Sequence, residues 1–258
     1  MTAVAVHHVV TGRADAPVVV LSNSLGSTMA MWDAQADALA EHFRVVRYDT
    51  RGHGQSPVPT GPYDIDDVAN DVVALLDTLG IGKAHFVGLS LGGMTGMRLA
   101  ARNPERVDRL VVLCTGAKLD PSSAWRDRAA LVREMGTQAV AQAVVARWFT
   151  AAYLASNPDT RAACEAMVGA TPAEGYASCC EVIAAMDLRA DLPTITAPTL
   201  AIAGADDPAT PSSFLEEIAE NVQDGHLLVV PESAHLANAE QPETITPAII
   251  VHLTGVSS

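Results

Sequence analysis

The sequence predicts an α/β fold: a mostly parallel sheet flanked by helices, with an inserted helical lid. Three observations carry that expectation. Short β-rich apolar runs alternate with helical stretches up to about residue 117. The alternation stops between Lys118 and Asp191, an Ala-rich helical stretch without a convincing strand, and then resumes. The five residues Gly88-Leu89-Ser90-Leu91-Gly92 join an apolar run directly to a helix-like stretch. A β-α-β-α order places strands in parallel and puts the connecting helices on both faces of the sheet. The expected organisation is therefore a core of residues 1–117 and 192–258, with residues 118–191 as the lid.

Each element has its own signal. Val4 to Val10 and Val18 to Leu21 read as strands, followed by a helix around Ala30–Glu41 and a strand over Phe43–Tyr48. Asp64 to Leu79 is an amphipathic helix, because Ile65, Val68, Val72, Leu75, Leu76 and Leu79 recur at helical spacing and Gly80 and Gly82 stop it. Ala84–Val87 is the strand into Ser90, and the helix after Ser90 stops near Asn103-Pro104. Leu110–Leu113 is another strand. The lid helices break at Gly136, at Asn157-Pro158 and at Thr171-Pro172. Thr199–Ala203 and His226–Val230 are then strands, Pro211–Glu220 a helix, and Glu240–Leu253 a last helix with Pro247 inside it.

The bulk properties bound the function. A chain of 258 residues, 49% of them hydrophobic, can bury a large core as one domain with an insertion. The formal net charge of −14 argues against nucleic acid and anionic membranes as partners. Cys114, Cys164, Cys179 and Cys180 form neither a disulfide framework nor a CxxC metal or redox pattern. With no signal segment and no bilayer-length apolar run, the expected location is cytoplasmic.

Ser90 is the candidate nucleophile. A serine on a tight strand-to-helix turn must take a strained backbone conformation, and its neighbours at minus two and plus two must be very small. The turn lifts the hydroxyl clear of the sheet at the positive end of a helix. A serine hydroxyl needs a base, and the base needs an acid to hold its tautomer. Of eight histidines, His235 lies in a loop just after the last strand, at the end of the sheet where functional groups gather. The acid should fall between serine and histidine. Asp207, in Gly204-Ala205-Asp206-Asp207-Pro208, is favoured, with Asp206 second and Asp120 a rival after an earlier strand. Oxyanion donors are expected at the backbone amides of Leu91 and Leu25, the latter in the loop Ser22-Asn23-Ser24-Leu25-Gly26.

With these residues in place, the chain resembles the α/β-hydrolase superfamily, including the turn Asp49-Thr50-Arg51-Gly52-His53-Gly54-Gln55-Ser56, which makes His53 architectural rather than catalytic. Leu21–Gly26, Arg147-Trp148-Phe149-Thr150, Gly175-Tyr176-Ala177-Ser178-Cys179-Cys180 and Met186-Asp187-Leu188-Arg189 are further similar to the 3-oxoadipate enol-lactonases, over about Ala16 to Pro242. Leu91 stands where that family often has Met, the N-terminus is shorter than usual, and no fused decarboxylase activity is expected.

The resemblance implies hydrolysis of a small lactone carrying a carboxylate, through an acyl-enzyme on Ser90, with no metal or organic cofactor. It implies a local cation for that carboxylate: Arg147 first, beside Trp148, with Arg133 and Arg189 behind it. A homo-oligomer is compatible with the sequence. The alternatives are a general carboxylesterase, a cofactor-free perhydrolase, or a small-molecule receptor on the same fold. A haloalkane dehalogenase is disfavoured, since that chemistry wants an aspartate where Ser90 stands.

Overall fold

The computed structural model describes residues 2–255. Seven strands form one sheet: β1 (His8–Thr11), β2 (Val18–Ser22), β3 (Arg44–Tyr48), β4 (Ala84–Leu89), β5 (Val107–Leu113), β6 (Thr199–Gly204) and β7 (Gly225–Val230). Their order is β1-β3-β2-β4-β5-β6-β7. All neighbours are parallel except β1, which runs antiparallel to β3. The central strands β4 and β6 are buried along their whole length, as near-continuous apolar runs require when helices cover both faces.

The helices are α1 (Asp33–Ala40), α2 (Ile65–Thr78), α3 (Leu91–Arg102), α4 (Ser122–Met135), α5 (Gln138–Trp148), α6 (Ala151–Ser156), α7 (Pro158–Ala170), α8 (Ala173–Ala185), α9 (Ser212–Asn221), α10 (Ala237–Glu240) and α11 (Pro242–Thr254). Helix α2 starts in a reciprocal cap: Asp67 N donates to Asp64 Oδ1 at 2.7 Å and Asp64 N donates to Asp67 Oδ2 at 3.1 Å. Five helices, α4 to α8, lie between β5 and β6, and no strand interrupts them among the described residues.

The first strand is shorter than the Val4–Val10 run, for a physical reason. The Val4 amide donates to Asp71 Oδ1 at 2.7 Å and the His7 amide to Ser56 Oγ at 2.9 Å, so this backbone is satisfied by side chains rather than by β3. The expected helix around Ala30 opens as a 3-10 turn, Met29–Trp32, capped by Thr28, and becomes α-helical only at Asp33. The last helix begins at Pro242, a favoured first-turn position, because Glu240 belongs to the short α10 and turns its side chain inward. One break went unforeseen. Phe149 is extended, and Thr150 caps α6 by accepting from Tyr153 N at 3.2 Å.

Because β2, β4, β5, β6 and β7 are parallel, the loops after them emerge on one edge of the sheet. That edge carries Ser24, Ser90, Asp207 and His235, and α4, α5 and α8 lie over it.

Candidate active site

Ser90 sits between β4 and α3 with φ 55° and ψ −115°, the left-handed side of backbone space that non-glycine residues avoid. Such a conformation costs on the order of 1–3 kcal/mol and persists only where its surroundings over-determine it. They do so here. Ser90 N donates to Leu113 O at 2.9 Å, and Thr115 Oγ1 donates to Ser90 O at 2.8 Å. A Cβ on Gly88 would lie 2.2 Å from Gly92 O, and one on Gly92 would lie 2.3 Å from Ser22 O. The turn therefore excludes side chains at both flanking positions, as the five-residue pattern predicts.

Asp207 follows β6 and His235 follows β7; both are buried. A Cβ on Gly204 would lie 2.3 Å from Ala234 O, so the glycine lets the two loops touch. His235 Nδ1 lies 2.8 Å from Asp207 Oδ2. The carboxylate also accepts from Thr210 Oγ1 at 2.5 Å, Ala209 N at 2.7 Å and Thr210 N at 3.2 Å. Burial alone would raise this carboxyl, but the charge and hydrogen bond of His235, with the bonds from Thr210 and Ala209, outweigh it and hold the acid below its ordinary value. An ionised carboxylate only accepts, so His235 donates from Nδ1, and in the neutral ring this puts the lone pair on Nε2. The rival acids are elsewhere. Asp206 is exposed, and Asp120 is exposed beside Lys118.

Ser90 and His235 line one cavity with Leu25, Trp125, Arg128, Arg147, Trp148 and Tyr176, among others. The Ser24 amide is committed to Met31 Sδ and the Gly26 amide to His53 Nε2, which leaves the Leu25 amide between them without an acceptor among the described residues. Leu91 opens α3, where the first amides of a helix have no intrahelical partner. Leu25 lines the cavity, and Leu91 follows Ser90 in the chain.

The arginines separate sharply. Arg133 is bound to Glu174 and Glu181, Arg189 is bound to Asp187, and neither lines the cavity. Arg147 does line it, with Nη2 3.4 Å from Pro208 O. Trp148 forms a buried wall, and its carbonyl accepts from Leu236 N at 2.7 Å, tying α5 to the residue after His235. Sequence reasoning missed Arg128, which lines the cavity from α4 with its guanidinium 4.7 Å from the Trp125 ring centroid. Neither Arg128 nor Arg147 is paired with a carboxylate among the described residues, although acids outnumber bases 30 to 16 in the chain. The available signal was Trp125, one helical turn before Arg128.

Sequence reasoning also missed Glu240. It accepts from Ala234 N at 2.9 Å and from Thr150 Oγ1 at 2.5 Å, joining the His235 loop to the start of α6. Among the described residues, no group of three or more His, Cys, Asp or Glu side chains is arranged to hold a metal ion. The four cysteines are free thiols.

A family model described as the alpha/beta hydrolase fold matches residues 17–242. The chain is 42% identical over 246 residues to 3-oxoadipate enol-lactonase 2 of Acinetobacter baylyi, covering 95% of this chain and 92% of that protein. It is 37% identical to 3-oxoadipate enol-lactonase 1 of the same organism, over 91% of this chain and 87% of that one. The crystal structure of the enol-lactonase from Burkholderia xenovorans LB400 superposes with a TM-score of 0.95 at 41% identity, covering 96% of each chain. The chain therefore belongs to the α/β-hydrolase fold family, as a serine hydrolase similar to the 3-oxoadipate enol-lactonases.

Proposed function

We propose that the chain hydrolyses 3-oxoadipate enol-lactone to 3-oxoadipate, in the β-ketoadipate route of aromatic breakdown. One observation carries the reading from the molecule itself. A cavity with Ser90 and the Asp207-bonded His235 on one side carries Arg128 and Arg147, free of acid partners, on the other. One side suits an acyl carbonyl and the other a carboxylate.

In this mechanism His235 Nε2 takes the Ser90 proton as Oγ attacks the lactone carbonyl. The Leu25 and Leu91 amides stabilise the oxyanion, which is the largest single electrostatic contribution in this class of reaction. Collapse breaks the ring C–O bond and expels an enolate, which takes a proton from His235 and tautomerises to the ketone. A water molecule, deprotonated by His235, then attacks the acyl-enzyme, and its collapse returns the proton to Ser90. Every group invoked comes from one chain. Residues 118–191 serve as the lid that supplies the cations, with Trp148 as a wall. No helix among the described residues is long and apolar enough to cross a membrane. A cytoplasmic enzyme acting on a small lactone goes with this reading.

The test is loss of enol-lactone absorbance with purified protein, beside Ser90→Ala and p-nitrophenyl acetate. Fast lactone loss that falls about 10⁴-fold or more in folded Ser90→Ala, with weak ester hydrolysis, is the expected result. Strong ester hydrolysis with slow lactone turnover would make the chain a general esterase.

A further inference from the structure

We infer that His53 is a positioning residue for the oxyanion hole, holding the Leu25 amide in line through a hydrogen bond to the next peptide. The inference rests on the Ser90 acyl-enzyme reading above. His53 does not line the cavity and is almost completely buried. Its ring is used at both nitrogens: Nδ1 lies 3.2 Å from Arg51 O, and Nε2 accepts from Gly26 N at 2.9 Å. A carbonyl can only accept, so Nδ1 carries the proton and Nε2 carries the lone pair. Burial pushes the imidazole below its ordinary value, against the opposing pull of Arg51 O and Asp49, which keeps Nε2 an acceptor.

The consequence falls on Leu25. The Leu25 N–H lies in the peptide plane before its Cα, and the plane after it holds that Cα, and so one end of the first plane, in place. The plane before Leu25 is held at Ser24 O, which accepts from Ser27 Oγ at 2.7 Å and Ser27 N at 3.2 Å. In a trans peptide the Leu25 N–H points opposite to that carbonyl. The plane after Leu25 is held at Gly26 N, and His53 is the group that holds it. Gly26 itself has φ +79°, and a Cβ there would lie 2.9 Å from Tyr176 Cε2. Thr171 Oγ1 donates to Gly26 O at 3.4 Å, but on the following peptide, so among the described residues His53 alone bonds the Leu25–Gly26 peptide.

His53 is in turn anchored well away from the cavity. Arg51 makes two bonds of 2.6 Å to Asp71 on α2, and Asp49 Oδ2 accepts from Gln55 N at 3.0 Å. Gly52 lies against Gly175 of α8, where a Cβ would meet Gly175 Cα at 2.5 Å. The path Asp71–Arg51–His53–Gly26 therefore ties the oxyanion loop to the sheet half of the molecule.

The experiment compares His53→Asn with His53→Gln. The Asn side chain ends near the position of Nδ1 and cannot reach Gly26 N, whereas Gln carries an acceptor to about the position of Nε2. Turnover of the enol-lactone and affinity for phenylboronic acid are measured on each. Boron takes up Ser90 Oγ and becomes tetrahedral and anionic, with one oxygen in the oxyanion position. We expect His53→Asn to lose about ten- to a hundredfold in kcat with KM nearly unchanged, and to lose boronate affinity in parallel. His53→Gln should recover most of both. Should His53→Asn not fold, His53→Leu, which keeps the bulk but presents no acceptor to Gly26 N, takes its place and should show the same paired losses of kcat and boronate affinity; unchanged values in a folded His53→Leu overturn the inference. Equal damage in Asn and Gln with unchanged boronate affinity would mean that His53 only packs the loop. Turnover that survives Ser90→Ala overturns the acyl-enzyme reading and this inference with it. Turnover that needs Ser90 but is untouched in a folded His53→Asn protein overturns this inference alone.

Discussion

The two sides of the cavity are built on different principles. On the sheet side, Ser90 is strained and locked by Leu113, Thr115 and two glycines, and Asp207 accepts four hydrogen bonds. On the side of the five-helix segment, Arg128 rests on a tryptophan ring, and exposed Arg147 has one long bond to a carbonyl. The proposed chemistry is thus held by backbone and buried polar contacts, and the proposed recognition by side chains free to be replaced. A fold arranged this way can change substrates through its helices without rebuilding its nucleophile.

The strongest way to break that comparison is at the sheet side. In Asp207→Asn the amide can present an N–H to His235 Nδ1, which favours the wrong imidazole tautomer and leaves Nε2 protonated. We expect kcat to fall by about 10⁴-fold with little change in KM, since the cavity wall is untouched. Steady-state kinetics on the enol-lactone reads this directly. A loss under tenfold would mean that the rigid side is not where the chemistry is held.

The same contrast decides what could be read in the sequence. The placement of Ser90, Asp207 and His235 at one edge of the sheet was legible because backbone rules constrain it: a strained turn needs glycines at fixed offsets, and parallel strands send their following loops to one edge. The position of Leu25 was legible on the same ground, while the hold of His53 on its neighbour Gly26 was not, because it crosses 27 positions in sequence. Arg128 was illegible for a different reason. Arg133 and Arg147 have the same local appearance, and only the packing of α4 against α8 shows that Arg133 meets Glu174 and Glu181 while Arg128 meets none. Strand β1 was overdrawn because a Val-rich run cannot show that its amides are taken by Asp71 and Ser56. Glu240 looked like the start of the last helix, since its partners Ala234 and Thr150 come together only through the tertiary fold.

The helical side should respond in KM rather than kcat. Arg128→Gln is expected to raise the KM for the lactone by about ten- to a hundredfold, the worth of one charge-assisted hydrogen bond in a sheltered site. Hydrolysis of uncharged p-nitrophenyl acetate should not change. Arg147→Gln should have a smaller effect, about two- to fivefold, because an exposed cation is screened by water. A drop in kcat for both substrates in Arg128→Gln would show that α4 shapes the reacting centre and would erase the division drawn above.

The smallest effect concerns stability, and it asks whether the two sides also differ toward acid. Burial lowers His53, His85 and His252 below their ordinary value of 6.5. In each the unfolded chain binds a proton that the folded chain refuses. Their contribution is fully present above pH 6.5 and is lost as pH falls through the folded values, at up to about 1.4 kcal/mol per pH unit for each. Asp207, lowered from 3.8, adds its share only further down. All four lie outside residues 118–191, a segment with no histidine. There Arg133 holds the Glu174 carboxyl down to about 2, so that pair stays ionised through the same window. Calorimetry from pH 7 to pH 5 should therefore show a falling Tm, a shallower fall in His252→Gln, and an unchanged fall in Arg133→Gln. His252 meets the backbone at Pro198 and Leu110 and does not line the cavity, so this variant tests the proton balance without disturbing the site. An equal slope in His252→Gln and the parent chain would mean that the buried imidazoles do not set acid stability, and that the sheet half has no special weakness there.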